Sequence, residues 1–127
     1  MGMRSLTPML QTSDMDRTIA WYGDVLGFRC VRRMGDEWCR LEQDGVSLMF
    51  MKNDHVGTPQ ATATQYIYVD DVNALWETLK DRVAAEWGPE VMPYGMREFA
   101  IKDPDGYYLS FGEPVRASDA EGKALSS

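Results

Sequence analysis

Apolar residues recur along the chain with two periods, and the periods alternate in the same order twice. In "SDMDRTIAWYGDVLG" (13–27) Met15, Ile19, Tyr22 and Leu26 share one face of a helix, with Ser13 and Asp16 in capping-box spacing and Gly27 as the stop. In "DVNALWETL" (71–79) Val72, Leu75, Trp76 and Leu79 fall at i, i+3, i+4 and i+7 behind Asp71 as cap. Around these helices the period is two, which predicts strands at 6–12, 28–33, 37–42 and 46–52, then at 64–69, 90–93, 96–102 and 107–112. Each half therefore reads β-α-β-β-β. The expected fold is α+β: two βαβββ repeats, at about 5–53 and 62–113, forming a curved mixed sheet around a concave cleft. They make one domain, 1–114, followed by a small, polar tail, 115–127.

The last hairpin of each half is nearly the same text. A shift of 61 positions lays "EWCRLEQDGVSLMF" (37–50) on "EFAIKDPDGYYLSF" (98–111), aligning Glu37 with Glu98, Asp44 with Asp105, Gly45 with Gly106, Leu48 with Leu109 and Phe50 with Phe111. Trp38 and Phe99 form an aromatic pair in this alignment. Asp-Gly makes each turn, Asp through its backbone hydrogen bonds and Gly through positive φ. Alternation then puts Leu48, Phe50, Leu109 and Phe111 under a helix, and Ser47, Met49, Tyr108 and Ser110 on the opposite sheet face. The same rule hides Ile67 and Val69 and turns Tyr66, Tyr68 and Met51 toward the cleft, with Trp38 as an addition. Tyr94, in "VMPYGM" (91–96), belongs to a loop or short edge strand at the cleft mouth. Aromatic planes with polar tips suit a wet cleft, whereas Met49 and Met51 serve equally as ordinary packing.

Composition narrows the class. At 127 residues and 44% hydrophobic content the chain closes one core. No apolar run approaches the ~20 residues that cross a bilayer, and "MGMRSLTPML" lacks the build of a signal peptide, so the expectation is cytoplasmic, with no membrane partner. Formal charge is −7, and no basic block exceeds "RR" (32–33), which excludes nucleic acid as a partner. An acidic balance reads first as solubility, and as attraction for cations only once a site exists. Cys30 and Cys39 flank "MGD" (34–36); a hairpin turning on Met34-Gly35 would oppose them, one turning a residue later would not, and two reduced thiols are expected. The only histidine, His55, lies in the loop-like "KNDHVGTP" (52–59) and reads as a solvated side chain. Asp103 and Asp105 are explained by their "DPDG" turn.

"DMDRTIAWYGDVLGF" (14–28), "YVDDVNAL" (68–75) and "FAIKDPDGYYLSF" (99–111) together make residues 5–114 resemble the vicinal oxygen chelate superfamily of glyoxalases, bleomycin-resistance proteins and dioxygenases. In its metal enzymes His, Glu or Gln on the first and last strands of each half hold a divalent cation. Those places carry over to Thr7, Met49, Thr64 and Ser110, which supply no ligand set, so neither a metal nor another cofactor is expected. Within the superfamily the chain is most similar to the bleomycin-resistance type, through "LTPMLQTSDMDRTIAWYGDVLGF" (6–28) and "PYGMREFAIKDPDG" (93–106). That resemblance implies a bacterial antibiotic-resistance protein, a homodimer whose crevices sequester a flat, cationic ligand. Trp38, Tyr66, Tyr68 and Tyr94 fall where that type has its aromatic walls, and no residue is assigned a catalytic role. Two other readings stay open: a glyoxalase-like metal-dependent lyase or transferase, and a metal-free enzyme using a tyrosine or Glu98 as acid or base.

Overall fold

The computed structural model describes residues 2–52 and 63–115. His55, its loop and the tail beyond residue 115 lie outside the described residues. The chain divides into two compact units, Met1–Gln60 and Ala61–Ser127, and each is a βαβββ repeat.

The first unit contains β1 (Met9–Gln11), α1 (Met15–Leu26), β2 (Arg29–Met34), β3 (Trp38–Gln43) and β4 (Val46–Met51). Its sheet has the order β1-β4-β3-β2, with β1 parallel to β4 and the other pairs antiparallel. Met15, Thr18 and Tyr22 are the buried face of α1, and the Tyr22 ring packs on Phe28 and Phe50 with centroids 5.6 and 5.1 Å away. Below it Cys39, Leu41, Leu48 and Phe50 are buried, as alternation requires. The cap of α1 is Asp14 rather than the Ser13 and Asp16 box: its carboxylate accepts from the Arg17 N–H at 3.0 Å. Thr12 Oγ1 meets Thr18 Oγ1 at 2.7 Å and accepts from the Asp14 N–H, which ties the strand end to the helix. Gly27, with φ 79°, closes the helix as predicted.

The second unit contains β5 (Thr64–Tyr68), α2 (Val72–Leu79), β6 (Trp87–Val91), β7 (Met96–Lys102) and β8 (Tyr108–Pro114). The order β5-β8-β7-β6 repeats the first sheet, again with the first and last strands parallel. Asp71 caps α2 as expected, accepting from the Ala74 N–H at 3.0 Å. Trp76 of α2 packs on Phe99, and Phe99 stacks on Phe111, each with centroids 5.1 Å apart. Asp103 Oδ1 accepts from the N–H groups of Asp105 and Tyr107, so the "DPDG" carboxylate is spent on its turn.

Two strand ranges and one register depart from the sequence expectation. β1 begins at Met9 instead of residue 6; Pro8 has no N–H to give, although its carbonyl accepts from Met49 N–H. β6 runs Trp87–Val91 instead of 90–93, because a register shift between Trp87 and Glu90 accommodates Gly88-Pro89 and Gly95 N–H bonds back to Met92 O in a turn. The 61-residue shift holds for β4 and β8 but not for β3 and β7. Trp38 pairs with Met51 while Glu98 pairs with Gly112, so Glu98 occupies the place of Trp38, not of Glu37. The second turn is one residue longer, which moves the register.

In the first hairpin Met34 pairs with Trp38 and Arg33 with Cys39, so Cys30, opposite Leu41, is out of reach of a bridge. Both thiols are free, Cys30 exposed and Cys39 buried, and burial pushes the Cys39 thiol up to about 11. A thiol reagent at neutral pH should therefore label one cysteine per native chain and two in denaturant. Absence of labelling until a reductant is added would contradict the assignment.

Candidate functional site

The face of the second sheet turned away from α2 carries a charge. On β7, Phe99 and Ile101 point into the core, which leaves Glu98 and Ala100 on the other side beside Ser110 and Gly112 of β8. Glu98 is only 2% exposed. Its Oε1 accepts from the hydroxyls of Tyr66 at 2.9 Å and Tyr94 at 2.5 Å. Its Oε2 accepts from Trp87 Nε1 at 2.8 Å and from Ser110 Oγ at 3.3 Å. Four donors meet the four lone-pair sites of one carboxylate.

Local sequence explains each position. Tyr66 is opposite Ser110 on the parallel pair β5 and β8, so it shares the face. Gly112 gives its ring room: a Cβ there would collide with the Tyr66 phenol. Trp87 pairs with Ala100, whose small side chain lets the indole reach across to Glu98. Gly88 lies so close to the Glu98 carbonyl that a side chain would not fit, and its φ of 77° suits glycine. Tyr94 comes from the Pro93-Tyr94-Gly95 turn between β6 and β7.

The electrostatics follow from these contacts. Burial pushes the Glu98 carboxyl up, but hydrogen bonds from Tyr94, Trp87, Tyr66 and Ser110 outweigh it and hold the group below its ordinary value. Burial and the bond to Glu98 raise the Tyr66 phenol, and the bond to Glu98, followed by burial, pushes Tyr94 up to about 12. At neutral pH the cluster is one carboxylate and two neutral phenols. Each phenol donates inward and keeps acceptor capacity outward. The arrangement suits a fixed negative charge under aromatic walls and is poorly suited to proton transfer, since the carboxylate's acceptor positions are filled and the phenols resist ionisation.

Of the residues singled out in the sequence, the structure brings Tyr66, Tyr68, Tyr94, Tyr108 and Ser110 together on the second sheet. Tyr68 lies against Tyr66 with centroids 5.2 Å apart and is 73% exposed. Tyr108 meets Trp87 edge-on at 5.7 Å, and Lys102 Nζ sits 5.5 Å from its ring centre. Trp38, Met49 and Met51 share the corresponding face of the first sheet, where Arg40 donates to Glu42 at 2.9 Å and to Ser47 at 3.1 Å. Sequence reasoning left Trp87 out of the site and named Glu98 only as the acid or base of an alternative enzyme reading. The signal for Glu98 was its spacing from Phe99 and Ile101, which sends a carboxylate to the face of Tyr66. For Trp87 there was no such signal, because Gly88-Pro89 masked its strand.

The superfamily's metal positions do not fit a cation here. Thr7 precedes β1, Thr64 is exposed at the start of β5, Met49 offers a thioether, and the Ser110 hydroxyl donates to Glu98. Among the described residues no group of three or more His, Cys, Asp or Glu is placed to hold a metal ion. No helix among the described residues is long and apolar enough to cross a membrane.

Two βαβββ units with this strand order define the vicinal oxygen chelate fold. The sequence model of the glyoxalase/bleomycin resistance protein/dioxygenase superfamily matches residues 5–111, and the chain belongs to that superfamily. Its fold is similar to that of TnmS3, an antibiotic binding protein from Streptomyces sp. CB03234 (24% identity, TM-score 0.76, covering 90% of this chain and 98% of that one). It is also similar to a bleomycin resistance determinant encoded on the transposon Tn5 (26% identity, TM-score 0.73, covering 88% and 98%). A lactoylglutathione lyase from Agrobacterium tumefaciens shares the fold as well (20% identity, TM-score 0.72, covering 86% and 92%). No curated protein matches the chain.

Removing the carboxylate should have a pH signature. Because the folded-state pKa of Glu98 lies below the unfolded value, its stabilisation is fully present above the unfolded pKa and is lost as pH falls through the folded one. Glu98→Gln should melt lower than the parent by a constant margin above about pH 5, and the margin should shrink in more acid solution. A margin independent of pH would contradict an ionised Glu98. Glu98→Ala, which leaves buried donors unsatisfied, should cost about 1–3 kcal/mol in chemical denaturation.

Proposed function

We propose that this protein binds a planar, cationic antibiotic or similar ligand and sequesters it unaltered, as a metal-free homodimer. The observation that carries the reading is the buried, ionised Glu98 surrounded by Tyr66, Trp87 and Tyr94, with Tyr68 and Tyr94 open to solvent. Rings of this kind attract a flat cation through their faces, and a carboxylate beneath them adds a charge that water does not screen fully. The formal charge of −7 favours encounter with cations. The similar structures named as an antibiotic binding protein and a bleomycin resistance determinant support an antibiotic as the ligand.

A glyoxalase-like lyase or transferase is the competing reading, and the likeness to lactoylglutathione lyase is one of fold alone. Thr7, Met49, Thr64 and Ser110 lack the donor chemistry it needs. A dimer partner would cover part of the aromatic face on which Tyr66, Tyr68 and Tyr94 are exposed.

Titration calorimetry with bleomycin tests the ligand. Tyr68→Ala and Trp38→Ala should each weaken binding by nearly tenfold, on the order of 1 kcal/mol for a stacking face, and added salt should slow association more than it speeds release. No binding below millimolar defeats the bleomycin assignment, and silence of both substitutions defeats these aromatic walls. Elemental analysis should find no stoichiometric divalent metal after dialysis; about one zinc, nickel, iron or manganese per chain would favour the lyase. Sedimentation at micromolar concentration should show a dimer, and a 14.4 kDa species would contradict it.

A further inference from the structure

Glu98 holds as many hydrogen bonds as its two oxygens accept, so a cation reaches the carboxylate only by replacing a donor already there. The four donors differ in their freedom to leave. Ser110 is 1% exposed and beyond a ligand's reach. The Trp87 indole lies on β6, half-buried and edge-on to Tyr108. The Tyr66 phenol lies on β5 over Gly112, with Tyr68 against its ring. Tyr94 stands outside the strands and is 60% exposed. The backbone of its turn is anchored by Gly95 N–H to Met92 O, Met92 N–H to Met96 O and Val115 N–H to Gly95 O. A rotation of the Tyr94 side chain would leave these backbone hydrogen bonds and the sheet intact.

We infer that the Tyr94 hydroxyl occupies, on Glu98 Oε1, the position a ligand's N–H takes, and that Tyr94 thereby selects protonated amines and amidinium groups over cations without an N–H. The exchange conserves hydrogen bonds: a charged N–H replaces a neutral O–H on the same oxygen, and charge-assisted bonds are the stronger kind. A quaternary ammonium has no proton to offer. It would leave Oε1 short of a partner if Tyr94 moved, and it is held off the carboxylate if Tyr94 stays. This inference rests on the ligand-binding reading above and names the chemistry of the group that enters deepest.

The test uses two aromatic cations of similar size, benzamidine with N–H groups and benzyltrimethylammonium without, titrated into ¹⁵N-labelled full-length protein and followed at the Trp87 indole N–H. Fragments this small bind in the range of about 1–10 mM. Benzamidine should bind the parent about tenfold or more tighter than the quaternary ion, the difference one charge-assisted hydrogen bond makes. Tyr94→Phe removes the competing hydroxyl and keeps the ring. It should tighten benzamidine by roughly two- to tenfold and leave benzyltrimethylammonium unchanged, while Glu98→Gln should abolish the preference. If Tyr94→Phe leaves benzamidine unchanged or weakens it, the hydroxyl does not compete for Glu98 Oε1 and the displacement is wrong. Equal affinity of the parent for the two ions overturns the selectivity. If neither ion moves the Trp87 signal and bleomycin also fails to bind, the ligand-binding reading itself falls, an outcome distinct from the other two.

Discussion

A carboxylate withdrawn from water needs partners, and the second half of this protein is arranged around that requirement. Every strand of its sheet, and one turn, contributes: Glu98 comes from β7, Tyr66 from β5, Trp87 from β6, Ser110 from β8 and Tyr94 from the turn before β7. Gly112 and Gly88 are the sites where a side chain would push Tyr66 or the Glu98 backbone away. A buried charge is weak evidence for stability, because well-packed apolar residues hold a fold as well or better. Its presence on a face lined by exposed tyrosines is the ground for the cationic ligand proposed above.

The two repeats use one scaffold for different surfaces. Tyr22 and Phe50 under α1 correspond in role to Trp76, Phe99 and Phe111 under α2, and these cores are alike because each helix covers the same side of a four-stranded sheet. On the opposite side the halves diverge. Where the second sheet has Glu98 the first has Trp38, and the polar cluster of the first is the half-buried Arg40, Glu42 and Ser47, an ion pair near water that contributes little. Proteins named as a binder and as a lyase share this fold, so membership alone leaves the chemistry to be read from side chains.

The helices, the Asp71 cap and the Gly27 stop were legible because their signals are local: Asp71 bonds three residues on, Gly27 takes a positive φ, and one apolar face repeats at 3.6 residues; the α1 cap fell one residue from the expected Ser13, on Asp14. That Tyr66, Tyr68, Tyr108 and Ser110 share one sheet face was legible because strand alternation is also local. Trp87 was hidden since Gly-Pro reads as a break, and only pairing with β7 across a register shift makes its segment a strand. Matching Glu37 with Glu98 was attractive as text and wrong in register, because one extra residue in the second turn shifts β7 against β8.

What the sequence determined by itself was periodicity, and hence the elements, their order and the face each side chain takes, since these depend on neighbours a few residues away. The convergence on Glu98 was decided by tertiary structure. Its four donors lie 32, 11, 4 and 12 residues away along the chain. Sheet pairing brings those from the strands to one carboxylate and the intervening turn brings Tyr94, and the hydrogen bonds they make there, against the pull of burial, keep it charged.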